Sequence, residues 1–168
     1  LPLCVYNNPG TTGFTFTDAL IGEIAVVPNI AAVKMPLPAG GDFAGELARL
    51  RALAPESFTV GYSGDWGAAP SLLAGGDAFF SVAAGLLPEP MLRLVRAARS
   101  GRVDETAAID ATFAPLWELF RAYGGLRVMY AVADRLCLPV GDPPLPIQRL
   151  PAEAVAKIEA ALVSIAAI

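Results

Sequence analysis

Apolar residues follow two rhythms along this chain. In the first hundred residues they come as short unbroken runs, at 3–7, 30–35, 58–62 and 78–82. Continuous rather than alternating runs of this length are the pattern of parallel strands covered on both faces. Each run is followed by a stretch with helical spacing. Thr17 is placed to cap a helix with Leu20, Ile21, Ile24 and Ala25 inward, closed by Pro28 and Asn29. Asp42 is placed to cap a second, with Phe43, Leu47, Leu50 and Ala54 on one face. A short helix is predicted around 70–74. Pro88 opens a fourth, with Met91, Leu92, Val95 and Ala98 inward.

After Gly101 only the helical rhythm remains. A helix over 103–123 carries Ile109, Phe113, Leu116, Trp117 and Phe120 at one face. A second, over 126–138, carries Met129, Val132 and Leu136. The loop PVGDPPLPIQRLP follows, then a last helix with Val155, Ile158, Leu162 and Ile165 on one side. The aromatic stripe of Phe113, Trp117 and Phe120 reads as core or subunit contact. Two regions result: four βα units over 1–100 and a three-helix extension over 101–168.

Four βα units are half of an eight-stranded TIM barrel. The chain starts at Leu1 inside a strand-like run and without Met, so it is expected to be the C-terminal half of such a (β/α)8 barrel, with earlier units preceding it. The competing α/β architecture, a doubly wound sheet, carries a glycine fingerprint in an early strand-to-helix turn. Gly40-Gly41 and Gly75-Gly76 match neither that spacing nor a P-loop, and read as loop breakers.

Composition narrows the function classes. Of 168 residues 55% are apolar and the net charge is −4, with Lys and Arg scattered, which argues against a nucleic-acid face. No apolar stretch reaches membrane-spanning length without Pro, Gly or charge, and no signal peptide is expected. Cys4 and Cys137 lie far apart in apolar runs and are expected to be reduced core thiols, which fits a cytoplasmic protein. With no histidine in the chain, His-based triads, His zinc sites and the commonest general base are removed.

Chemistry in such a barrel sits at the C-terminal ends of strands. Those ends hold Tyr6-Asn7, then Lys34, then Tyr62-Ser63-Gly64-Asp65, then Phe80-Ser81-Val82. Lys34 is the sharpest, because its flanks AAV and MP are apolar. A free lysine has a pKa near about 10.4, so neutral amine is scarce at pH 7; an apolar setting favours the neutral form, which attacks a ketone to give a Schiff base. Snorkelling to water or pairing with a carboxylate is the ordinary alternative. Tyr6 ends the strand beside that of Lys34, and a phenol there can shuttle protons; the ordinary alternative is a core tyrosine. Asn7, Asn8, Pro9 and Gly10 are expected to form a turn that aims Tyr6 and exposes backbone N–H groups. A phosphosugar isomerase barrel is disfavoured, since the turns YSGDWG and VAAGLLP carry no Lys or Arg.

The stretches YNNPGTTG, VKMP, SGDW and GGDAFFSV, in that order, resemble the dihydrodipicolinate synthase / N-acetylneuraminate lyase family, as do GLRVMYAVADRLCL and LPIQRLPAEAVAKIEAAL near the end. The resemblance covers essentially the whole chain but only the C-terminal part of a family member. It implies a Schiff-base lyase or aldolase, commonly a homotetramer, acting on pyruvate or a related 2-keto acid and an aldehyde. No cofactor beyond the covalent imine on Lys34 is implied, nor a metal, a nucleic acid or a membrane. Lys34 matches the Schiff-base lysine and Tyr6 the proton-transfer tyrosine. Gly64 and Phe80 match positions whose backbone lines the pocket, with Asp65 beside them in the same turn. Thr11 stands where dihydrodipicolinate synthases have an arginine gripping a second carboxylate, and Trp66, Gly67 and Val82 replace polar residues of the sialic acid lyases. The expectation is therefore a smaller or less charged aldehyde than either enzyme takes. The alternatives are a keto-acid or sugar-acid dehydratase of the same family, and an inactive or binding-only member.

Overall fold

Four parallel strands form one sheet in chain order: β1 (Leu3–Tyr6), β2 (Ile30–Met35), β3 (Thr59–Ser63) and β4 (Ala78–Phe80). The computed structural model describes residues 1–167. Right-handed crossovers stepping in one direction put every intervening helix on the same face of the sheet. A doubly wound sheet would instead reverse its strand order. The sequential order is that of half a (β/α)8 barrel.

The chain divides into two compact units, Leu1–Phe80 and Ser81–Ile168. The first holds the sheet, the short α1 (Pro9–Thr12), α2 (Asp18–Ala25), α3 (Phe43–Leu53) and α4 (Ala68–Leu73). Thr17 caps α2 by accepting from the Leu20 N–H, and Asp42 caps α3 by accepting from the Gly45 N–H. Ile21 and Ala25 of α2, Phe43, Leu47 and Leu50 of α3, and Val33, Met35, Phe58, Val60 and Tyr62 of the strands make one buried cluster. Phe43 meets Tyr62 edge-on, with centroids 5.1 Å apart. Burying each of the large aliphatics contributes roughly 1.5–3 kcal/mol.

Strand residues that alternate with this cluster point to the other face of the sheet. Cys4, Tyr6, Ala32, Lys34, Gly61, Ser63, Ala78 and Phe80 lie there. Among the described residues no helix covers that face, as four βα units of a barrel leave their inner side open. Cys4 is exposed for this reason, and Cys137, just past a helix end at φ 56°, is exposed as well. Both thiols are free, but neither is a core residue.

The second unit holds α5 (Pro88–Arg99), α6 (Val103–Tyr123), α7 (Gly125–Arg135) and α8 (Ala152–Ala166), with α6 packed against the other three. Ile109, Phe113, Leu116, Trp117 and Phe120 are buried, and Phe113 stacks on Trp117 at 5.0 Å. On α5 the buried stripe is Met91, Leu94, Ala97 and Ala98. Leu92, expected inward, is 42% exposed; it stands about a quarter-turn off the Met91–Leu94–Ala98 stripe. Leu136, also expected inward, lies past the end of α7 and is exposed. Ile158 and Ile165 of α8 are buried, with Ala154 and Ala161 completing the stripe. The proline-rich loop is held by Arg127, which donates to the carbonyls of Gln148 and Arg149, and by Arg149, which pairs with Asp134 and Asp142.

Among the described residues no helix is long and apolar enough to cross a membrane.

Candidate active site

Tyr6 and Lys34 sit opposite each other across the β1–β2 pair, at the C-terminal ends of both strands. That alignment depends on an irregularity. Leu3 pairs with Ile30 but Cys4 pairs with Ala32, so Ala31 is an extra residue on β2. Without the bulge Tyr6 would pair with Val33, on the helix-covered face. With it, Tyr6 and Lys34 share the open face, and the Lys34 Nζ lies 3.9 Å from the Tyr6 ring centroid. Lys34 is half-buried and Tyr6 is 47% exposed. The amine therefore sits against an aromatic face at the open rim rather than sealed in an apolar pocket.

The row continues across the sheet. Lys34 pairs with Gly61, and Gly61 pairs with Ala78. The Phe80 ring centroid is 5.4 Å from the Lys34 Nζ. Tyr62, also at a strand end, turns the other way and is fully buried among the helices. Burial first, and then the neighbouring Glu46 carboxylate, push its phenol well above the ordinary value of 10.0. Ser63, one residue on, returns to the open face and donates to the Met35 carbonyl at 3.3 Å.

The loop after β1 is pinned by Asn7, which is 2% exposed. Its amide donates to the Phe16 carbonyl at 3.2 Å, and its Oδ1 accepts from the Phe16 N–H at 3.2 Å. Phe16 in turn packs on the core cluster. The backbone continues the β1 ladder past the strand, with the Asn7 N–H donating to the Lys34 carbonyl at 3.0 Å. Pro9–Thr12 closes into one helical turn, so the N–H groups of Thr11, Thr12 and Gly13 are bonded to Asn8 and Pro9 carbonyls rather than left free. Thr11 stands exposed on this turn.

Gly64 opens the turn after β3 at φ 99°, a left-handed conformation that favours glycine. Leu37, from the loop after β2, fills the space beside it: a Cβ at Gly64 would lie 3.0 Å from Leu37 Cγ, and one at Gly67 would collide with Leu37 Cδ2. Asp65 is 2% exposed within this turn. The structure thus brings Tyr6, Lys34 and Phe80 together, sets Thr11 on the adjoining loop, and buries Asp65. Cys4 lies beneath the site, its thiol raised by partial burial and drawn partly back by the Lys34 charge. Among the described residues no group of three Cys, Asp or Glu converges to hold a metal ion. The sequence reading missed three contributors: the bulge at Ala31, the Asn7–Phe16 clamp, and Gly61. Only Gly61 left a trace, as a glycine inside a strand, which marks a close approach.

Comparison with known proteins adds to this geometry. The profile of the dihydrodipicolinate synthetase family matches residues 1–165. A 4-hydroxy-tetrahydrodipicolinate synthase of Chlorobium limicola is 37% identical over 135 residues, covering 79% of this chain and 44% of the relative. One of Corynebacterium aurimucosum is 32% identical over 155 residues, covering 91% of this chain and 49% of the relative. The crystal structure of a dihydrodipicolinate synthase from Agrobacterium tumefaciens superposes with a TM-score of 0.95 at 53% identity, over 98% of this chain and 56% of that one. The chain spans about half the length of the curated relatives it matches, and it corresponds to the C-terminal half of their barrel with its helical extension. A half-barrel whose strand-end tyrosine and lysine share one face is thus matched along nearly its whole length, and the chain belongs to the dihydrodipicolinate synthetase family.

Proposed function

We propose that this chain carries the amine-bearing half of a class I lyase site, with Lys34 forming an imine with pyruvate or a related 2-keto acid. The observation that supports it most directly is the pairing of Tyr6 with Lys34, amine against ring at 3.9 Å, at adjacent strand ends. The Lys34 nitrogen attacks the keto carbon. The imine then serves as an electron sink for C–C bond formation or cleavage, while Tyr6 moves protons to and from the oxygen atoms. Backbone groups at Gly64 and the residue Phe80 line the cavity around the keto acid. Oligomerisation, as a tetramer or dimer, is part of the same reading.

The second substrate is an aldehyde without a carboxylate at the Thr11 end. The relatives carry the name of a synthase, and the family resemblance puts a carboxylate-gripping arginine where Thr11 stands. A hydroxyl cannot replace a bidentate guanidinium.

The test is borohydride reduction in the presence of pyruvate, on the protein as the cell makes it, followed by peptide mass mapping. A reduced pyruvyl adduct on Lys34 is expected. An unmodified Lys34 under conditions where the protein is folded would overturn the reading.

A further inference from the structure

The Lys34 amine has an aromatic ring on either side. Tyr6, on β1, lies at 3.9 Å, and Phe80, at the end of β4, lies at 5.4 Å. Both are inside the distance of about 6 Å at which the negative face of a ring attracts a cation. Phe80 starts two strands away from Lys34, with β3 between them. Its ring comes within range because β3 has no side chain where the ring crosses. Gly61 pairs with Lys34 on one side and with Ala78 on the other. A Cβ on Gly61 would lie 2.7 Å from Phe80 Cε2, 3.0 Å from the Ala78 carbonyl oxygen and 3.1 Å from the Ala78 Cβ. The ring occupies the space that any other residue at 61 would fill.

We propose that Phe80 is a positioning residue for the cationic nitrogen of Lys34, with Gly61 as the gap that admits its ring, so that Phe80 and Tyr6 together hold the charged amine and then the charged imine between two aromatic faces. The proposal rests on the Schiff-base reading above. In that step the neutral amine adds to the keto carbon to give a carbinolamine. A proton delivered to the carbinolamine oxygen lets it leave as water. The nitrogen keeps one hydrogen, forms the C=N bond and ends with one positive charge; no electrons are gained or lost overall. Positive charge therefore sits on the same atom at the start and at the end of imine formation, and is absent in between. A ring face that favours the cation speeds loss of water from the neutral carbinolamine.

The experiment measures the rate of imine formation with pyruvate, read by borohydride trapping, in five forms of the protein: unsubstituted, Phe80→Leu, Phe80→Tyr, Gly61→Ala, and with Phe80 replaced by pentafluorophenylalanine. The last keeps the shape of the ring and reverses the charge of its face, so it answers the question even where Phe80→Leu or Gly61→Ala fails to fold. The expected result is an imine-formation rate lower by about two- to fivefold in the leucine, alanine and pentafluorophenylalanine forms, and a rate like that of the unsubstituted protein in Phe80→Tyr. A packing role alone would leave the fluorinated form like the unsubstituted protein; that result, or a Phe80→Tyr form as slow as Phe80→Leu, overturns the clamp. If the unsubstituted protein forms no adduct on Lys34, the Schiff-base reading falls and the clamp with it. If it does and the fluorinated form matches it, only the clamp falls.

Discussion

Asn7 holds Phe16 by both of its backbone groups, accepting from its N–H and donating to its carbonyl, each at 3.2 Å. A side-chain amide spanning nine residues in this way closes the whole loop that carries Thr11, and it does so immediately after the strand-end tyrosine. Its amide also reaches the Met35 sulfur at 3.6 Å. The clamp is buried, so its loss is not compensated by water.

Asn7→Ala should therefore destabilise the first unit by about 2 kcal/mol, the sum expected for two buried hydrogen bonds left without a partner. Thermal or denaturant unfolding measures the loss. Hydrogen exchange at the Phe16 amide gives the local signature: it should speed up far more than exchange at Val33 or Val60. Equal acceleration at all three would show a global rather than a loop effect and would count against the clamp.

Thr11→Arg should restore grip on a second carboxylate. Thr11 is exposed on a one-turn helix, so a longer side chain meets no packing cost. A charged hydrogen-bonded pair is worth about 1.5–3 kcal/mol. The substitution should thus raise kcat/KM for a carboxylate-bearing aldehyde about tenfold or more while leaving an uncharged aldehyde unchanged. Steady-state kinetics with a matched pair of aldehydes decides it. An equal effect on both would show that Thr11 does not mark the carboxylate position.

Asp110 accepts from the Trp117 indole N–H at 3.0 Å. Burial raises its carboxyl above the ordinary 3.8, offset in part by that hydrogen bond and by the Arg121 charge. Relative to the unfolded chain, folding thus favours the neutral form, so this group's contribution to stability is full below pH 3.8 and is lost as pH rises through the raised folded value. Asp110→Asn keeps a carbonyl acceptor and cannot ionise. Its melting temperature relative to the unsubstituted protein should climb between pH 4 and pH 7, and a difference that is flat with pH would contradict the assignment.

The strand positions could be read from sequence because each is a compact apolar run. The run over 30–35 corresponds to Ile30–Met35 residue for residue, and the long helix Val103–Tyr123 shows its stripe plainly. What sequence could not show is which way each strand faces. An apolar run lacks the alternation that would tell one face from the other, so Cys4 read as core although it lies with Tyr6 on the open face. The placement of Tyr6 opposite Lys34 needed the extra residue Ala31, and nothing in IAAVKM marks a bulge. The burial of Asp65 and the outward turn of Leu92 were hidden for a related reason: each depends on how an element is rotated, by less than the resolution of a hydrophobic pattern.

The crowding over Gly61 has a consequence for which substitutions the sheet can accept. Residues 61 and 80 lie on different strands, yet a methyl group at one and a benzyl group at the other cannot coexist without displacing the backbone or the ring. A side chain at 61 therefore answers to two neighbours on β4 at once, the ring of Phe80 and the Ala78 carbonyl oxygen and Cβ at 3.0 and 3.1 Å, so shrinking residue 80 alone does not open the position.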